Sequence, residues 1–269
     1  MTLEALIAAL ALPASCRVDQ RVPKKVLIEN GAPTAGDKRL LNDGIEEIQW
    51  IAALKPNTVG VPDYRDEERE YLEVAVLSIT TRGTPEETAN GTATVAATSV
   101  NTTRLAELVH RAVPYPVLLL LDTPQGVFLS MAHKRWAQNE AGKVVLDGDV
   151  TTVAITSEVQ DVSPFVQSMA LVRQSQATLM ELYQGWMDCL TALHASRYTG
   201  VYTALNDPEQ AARRRAALRD YQRLEREATR LRTQATKEKQ MAKQVELNLA
   251  LKRVQTGLLA ARQQLEGNR

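Results

Sequence analysis

The sequence predicts an α+β protein: an N-terminal α/β domain with a mixed sheet, then a helical segment ending in a long, coiled-coil-like helix. Three observations carry this. Up to about residue 160, short apolar runs alternate with turn residues, which is the pattern of strands and short helices in one sheet. From Val162 onward the apolar residues recur at three- and four-residue steps, as in Met169, Val172, Leu179, Tyr183, Trp186 and Leu190. From Asp207 to Gln264 there is no proline after Pro208 and one glycine, Gly257, in a stretch dense in Ala, Leu, Arg, Lys, Gln and Glu. The expected divisions are 1–160, 161–206 and 207–269.

Taken in order, Leu3–Leu12 reads as a first helix with Thr2 as its cap, stopped by Pro13. Glu4 and the missing basic flank argue against a secretory signal, and the run is too short to span a bilayer. Val26–Ile28 reads as a short strand or the entry to one. Thr34 and Asp37 read as the cap and acidic first turn of a helix closed by Asp43-Gly44. Ile45–Leu54 reads as a strand, with helix as the alternative. Glu70–Ile79 alternates with both faces largely apolar, so it belongs inside a sheet covered on both sides. Thr80–Ser99 reads as a loop or hairpin tip, Asn101-Thr102-Thr103 as a helix cap, and Val117–Leu121 with Val127–Ala132 as a hairpin about Thr123–Gly126. Asp147-Gly148 is expected to turn the chain into a last strand, Val150–Ile155.

On the C-terminal helix, one apolar row runs through Leu218, Tyr221, Ala228, Leu231, Ala235, Ala242, Val245 and Leu249. A second, offset row runs through Leu247, Leu251, Val254, Leu258, Ala261 and Leu265. The seam therefore shifts near Leu247, as a stutter would produce. At that shift lies Glu238–Asn248, where Glu238, Lys239, Gln240, Lys243, Glu246 and Asn248 form the expected docking segment. A solvated charged surface is the alternative.

Composition limits the chemistry. Of 269 residues, 32 are basic and 32 acidic, so no net field favours nucleic acid or a membrane surface. Aromatic residues are 4% against 44% hydrophobic, so the core is aliphatic. Cys16 and Cys189 match no metal or redox spacing, which fits a reducing cytoplasm. His110, His133 and His194 share no metal spacing and read as ordinary packed or surface residues. No nucleophile arrangement and no glycine-rich phosphate loop is present, so no catalytic residue, metal or cofactor is assigned. Glu47, Glu73 and Lys134 would suit a metal-dependent nuclease, but the usual carboxylate–lysine spacing is missing. Lys24 and Lys25, and Lys134 and Arg135 beside Trp136, are cationic pairs suited to phosphate or to a salt-bridged strand end. Arg213–Arg215 with Arg219, Arg223, Arg226, Arg230 and Arg232 reads as a solvated helix face or a phosphate-tracking one.

Several runs, in order, resemble the bacterial family called domain of unknown function 4391: Val22–Lys25, Lys38, Ile45–Trp50, Tyr71–Ile79, Val113–Val117 with His133–Arg135, and Glu238–Asn248. Thr88–Ser99 and Met241-Ala242 depart from its pattern. The resemblance implies a protein encoded beside helicases and DNA methyltransferases of restriction-like defence loci. It implies no cofactor. It also implies that Lys24, Lys25, Lys38, Lys134 and Arg135 share one surface for nucleic acid or a partner. The expected function is a non-catalytic subunit of an anti-phage or restriction-like complex. It would dock a helicase or methyltransferase and contact DNA or RNA. The alternatives are a metal-dependent nuclease and a homodimer formed through the long helix.

Overall fold

The computed structural model describes residues 1–82, 96–138, 140, 142–155, 162–204 and 207–267, with backbone alone for 96–101 and 267. The fold is α+β, as the sequence predicts. In chain order the elements begin with α1 (Leu3–Ala9), a 3₁₀ turn (Ala14–Cys16), β1 (Arg17–Arg21), α2 (Lys24–Gly31) and α3 (Ala35–Gly44). Then come β2 (Ile45–Leu54), α4 (Pro56–Val59), β3 (Tyr64–Arg65), β4 (Glu70–Tyr71) and β5 (Val74–Thr81). They continue with α5 (Ala96–Ala112), β6 (Val117–Thr123), β7 (Gly126–Trp136) and β8 (Val144–Ile155). The chain closes with α6 (Ser163–Ser168), a second 3₁₀ turn (Leu171–Arg173), α7 (Leu179–Thr199), α8 (Pro208–Lys237) and α9 (Met241–Gly267).

Two compact units result: Met1–Ser157 with Val166–Leu190, and Glu158–Phe165 with Thr191–Arg269. The first holds a six-stranded sheet of order β1-β2-β5-β6-β7-β8. All neighbours are antiparallel except β5 and β6, which run parallel. A parallel pair needs a crossover, and α5 lies on the connection between them.

Central strands buried on both faces are largely apolar, and β5 from Val74 to Leu77 and β6 from Val117 to Leu121 carry only apolar side chains. Ala75, Leu77, Ile79, Val117, Leu119 and Leu121 face one core with Leu27 of α2, Leu41 of α3, and Leu105, Leu108 and Val109 of α5. The intervening residues Val74, Val76, Leu118 and Leu120 are also fully buried. On α7, Tyr183 and Trp186 are fully buried too. The Trp186 indole N–H donates to Met169 O at 2.8 Å.

Several local expectations hold. Thr2 caps α1 through Ala5 N at 3.3 Å. Thr34 caps α3, its Oγ1 accepting from Asp37 N at 3.1 Å. Others change. Val26–Ile28 lies in α2 rather than in a strand. Pro23 starts that helix, Val26 faces solvent, and Leu27 and Gly31 meet α5. Asn101–Thr103 lies inside α5, which begins at Ala96. Most of the expected loop falls at 83–95, outside the described residues. Asp147-Gly148 does not end a strand. β8 runs through it with a register shift, and Gly148 takes φ 81°, where a glycine is needed.

Gly31 sets how closely α2 approaches α5. A Cβ there would sit 2.6 Å from Leu108 O and 2.7 Å from the Ala112 methyl. Neither atom belongs to a flexible side-chain end, so the helices must separate. Gly31→Ala is expected to destabilise the sheet unit by about 1–3 kcal/mol, read as a lower urea midpoint.

In the second unit the C-terminal region is helical, as expected, but the long helix is two. α8 and α9 pack antiparallel, joined by Glu238-Lys239-Gln240. The Gln244 side chain reaches Ala235 O at 3.3 Å near the turn, Gly257 lies against Leu224, and Leu265 packs with Ala217 and Leu218 at the far end. No proline or glycine makes the break. Glu238 leaves the helix at φ −74°, ψ 130°. Its carboxylate accepts from Lys239 N and Gln240 N, both at 2.8 Å, and so satisfies donors at the entry to α9. Those backbone N–H groups also hold its carboxyl below the usual range. Thr229, Thr233 and Thr236 each hydrogen-bond the carbonyl four residues back, which weakens the last turns of α8.

The two apolar rows of α9 are therefore two faces, not a shifting seam. Leu247, Leu251, Val254, Leu258, Ala261 and Leu265 are buried or half-buried on one face. Ala242, Val245 and Leu249 are exposed on another.

Candidate functional site

In the sheet unit a cleft of about 520 Å³ opens where α2 ends, α5 ends and β8 begins. Gly31–Pro33 form one wall, His110 and Arg111 of α5 another, and Lys143–Leu146 a third. Lys134 of β7 completes the lining.

Lys134 has a defined task. Its Nζ donates to His110 O and Val113 O, two carbonyls at the C-terminal end of α5. Helix ends leave such carbonyls without intrahelical partners, and a cation there also meets the negative end of the helix dipole. The side chain is 3% exposed. Burial pulls its pKa down to about 7, while the two carbonyls favour the charged form.

His110 is fully buried in the last turn of α5. Its Nε2 lies 3.0 Å from Ser130 Oγ, which lies 2.9 Å from Thr152 Oγ1. Its Nδ1 is buried without a hydrogen-bond partner. Burial, then the nearby Lys134 charge, lowers its pKa to about 3, so the ring is neutral. At the mouth, Arg111 pairs with Glu107, Lys143 with Glu140 at 2.7 Å, and Glu29 with Lys25 at 3.5 Å. Of the described lining side chains three are cationic and one, Glu29, is acidic.

The expected shared surface of Lys24, Lys25, Lys38, Lys134 and Arg135 is not assembled as one face. Lys24 is half-buried at the start of α2 and donates to Asn42 O at 3.1 Å and to Ile45 O, closing the C-terminal end of α3. Lys134 does the same for α5. Ile45 pairs with Thr81, the last residue of β5, whereas Val117, beside the end of α5, pairs with Ala75 near its start. The two lysines thus serve opposite ends of the sheet. Lys25 and Lys38 are exposed. Arg135 is half-buried, donating to Trp136 O at 3.2 Å, with Asp147 at 3.9 Å.

The nuclease grouping also comes apart. Glu47 lies opposite Thr80 and 3.6 Å from Arg21, whereas Glu73 immediately precedes β5 at its other end and pairs with Lys55 at 3.0 Å. About seven strand residues separate them, roughly 23 Å at about 3.3 Å each. Among the described residues, no three His, Cys, Asp or Glu side chains gather as metal ligands.

In the helical unit the expected docking residues form the hairpin turn and the start of α9. Lys239, Gln240, Lys243, Glu246 and Asn248 are exposed and Glu238 is half-buried. Beside them Met241 is 80% exposed, Val245 53% and Leu249 53%, an apolar row at i, i+4, i+8. Arg214, within the arginine run, is instead buried and donates to Thr203 O.

Sequence reasoning missed Tyr183. Its hydroxyl lies 2.8 Å from Val117 O and 3.0 Å from both Ala132 N and Ala132 O. No spacing in the sequence signals this role.

Together these features define a two-unit chain: a mixed-sheet α/β unit with a cationic cleft, and a helical hairpin with an exposed apolar row. The chain belongs to the family described as a domain of unknown function (DUF4391), which matches residues 10–258. No curated protein and no solved structure matches it. No helix among the described residues is long and apolar enough to cross a membrane.

Proposed function

We propose that this protein is a non-catalytic docking subunit of a bacterial anti-phage or restriction-like complex, working in the cytoplasm. Its helical hairpin engages a larger protein, a helicase or DNA methyltransferase of the same locus. The supporting observation is the row Met241, Val245 and Leu249, exposed on a helix whose opposite face already packs against α8. An apolar row rimmed by Lys243, Glu246 and Asn248 has the make-up of a helix-mediated interface. The arginines on the outer side of α8 offer phosphate contacts to nucleic acid held by such a partner. In the sheet unit the conspicuous charges already have structural partners, as with Lys24 and Lys134 at helix ends and Glu73 with Lys55.

The test is co-expression of the full chain with the helicase or methyltransferase encoded beside its gene. Val245→Glu with Leu249→Glu is expected to cut the co-purified partner at least tenfold while the far-ultraviolet circular dichroism is unchanged. A chain that stays monomeric beside those products and binds no nucleic acid overturns the reading. A homodimer by light scattering, lost in the same double variant, would replace the partner with a second copy.

A further inference from the structure

We propose that the cleft at the C-terminal end of α5 binds a small phosphate-bearing molecule of nucleotide size, its phosphate held among Lys134, Arg111 and Lys143. The cleft is about 520 Å³, within the range of small-molecule sites and much larger than a lone phosphate needs. Its charges are arranged for an anion. Lys134 is buried at 3% exposure with two of its three donors spent on His110 O and Val113 O, which leaves one. Arg111 and Lys143 stand at the rim, and their own carboxylate partners, Glu107 and Glu140, do not line the cleft. Among the described lining residues Glu29 is the one carboxylate, and Lys25 draws on it from outside.

Two further features fit a bound molecule. His110 lines the same cleft, and its buried Nδ1 has no partner. A buried polar atom left unpaired is destabilising, and a polar ligand atom would relieve that. Val144, Val145, Leu146, Ala32 and Pro33 supply apolar wall for the body of the ligand. The desolvation that depresses Lys134 is also relieved when an anion arrives beside it. This site lies within the sheet unit and does not depend on the docking role of the hairpin.

The experiment is calorimetric titration of the full chain with adenosine 5′-monophosphate, ribose 5-phosphate, inorganic phosphate and adenosine. At least one phosphate ester is expected to bind, and adenosine at least tenfold more weakly than its monophosphate. Arg111→Ala with Lys143→Ala is expected to weaken binding tenfold or more with the unfolding temperature unchanged. Lys134→Met should abolish it. Because that variant also removes a helix cap, the rim pair is the deciding one. A shift of the His110 imidazole ¹⁵N resonances on titration is a further expected result. Failure of both esters at millimolar concentration overturns the proposal, including when inorganic phosphate alone binds. Affinity unchanged in the rim variant overturns it as well.

Discussion

Tyr183→Phe is expected to destabilise the sheet unit by about 2–4 kcal/mol, seen as a fall in the urea midpoint with the transition slope unchanged. The hydroxyl it removes acts as part of the sheet. The last recorded pair between β6 and β7 at this end is Leu119 with Ser130. Two positions further along that register, Val117 would face Ala132. There Tyr183 Oη stands in for the direct ladder, accepting from Ala132 N–H and sharing its proton between Val117 O and Ala132 O. Val117, Ala132 and Tyr183 are all fully buried, so water cannot replace the lost partner. The ring itself survives in phenylalanine, so no cavity is made and the loss isolates the hydrogen bonds. Tyr183→Leu should cost more, because the ring also packs edge-on to His133 at 5.4 Å and tilted to Tyr71 at 5.9 Å. A Tyr183→Phe midpoint within error of the parent would mean that β6 and β7 close directly onto one another once the hydroxyl is gone.

What the sequence made legible were features whose cause lies within a few residues. Thr34 and Asp37 announce α3 because cap and donor are three positions apart. The run ending at Ile79 announces the doubly covered β5 because both of its faces are largely apolar. Its first residues, Glu70-Tyr71, instead pair with β3 as β4, and β5 begins at Val74. Val26-Leu27-Ile28 is too short and too β-branched to reveal a helix. α2 is decided by Leu27 and Gly31 fitting against α5, contacts some eighty residues away. The break between α8 and α9 carries no proline or glycine. It rests on Glu238 turning its carboxylate onto the next two backbone N–H groups and on α9 folding back along α8. The offset between the two apolar rows was visible, but one continuous helix was the wrong frame for it. Lys24 and Lys134 stood out as residue types, yet their acceptors lie 18 to 24 positions away. His110 and Tyr183 draw their roles from Ser130 and Val117, at separations of 20 and 66 residues.

Stability should fall steeply as pH drops from about 6.5 toward 4, and the two units should both show it. His110 in the sheet unit is held to about 3 by burial and by Lys134, and His194 in the helical unit to about 4 by burial and by Arg197. Both values lie below that of an unfolded histidine, about 6.5. Between the two values the unfolded chain binds a proton that the folded chain refuses, so acid favours unfolding by at most about 1.4 kcal/mol per pH unit for each group. Above 6.5 neither ring contributes. Lys134 acts in the same direction at higher pH. Its folded value of about 7 lies below that of a free lysine, so stability should rise from pH 7 toward 10 as the unfolded chain alone stays protonated there. The rise ends where Tyr71, Tyr183 and Tyr198 resist ionisation. Burial raises all three, so the unfolded chain loses protons first and alkali above 10 again favours unfolding. Urea midpoints measured from pH 4 to 11 should therefore peak on the alkaline side of neutrality. His110→Gln should flatten the acid limb of the sheet unit and leave that of the helical unit. Lys134→Met should lower the midpoint at pH 9 and flatten the rise between 7 and 9. Parallel acid limbs in the parent and His110→Gln would assign the loss to other groups.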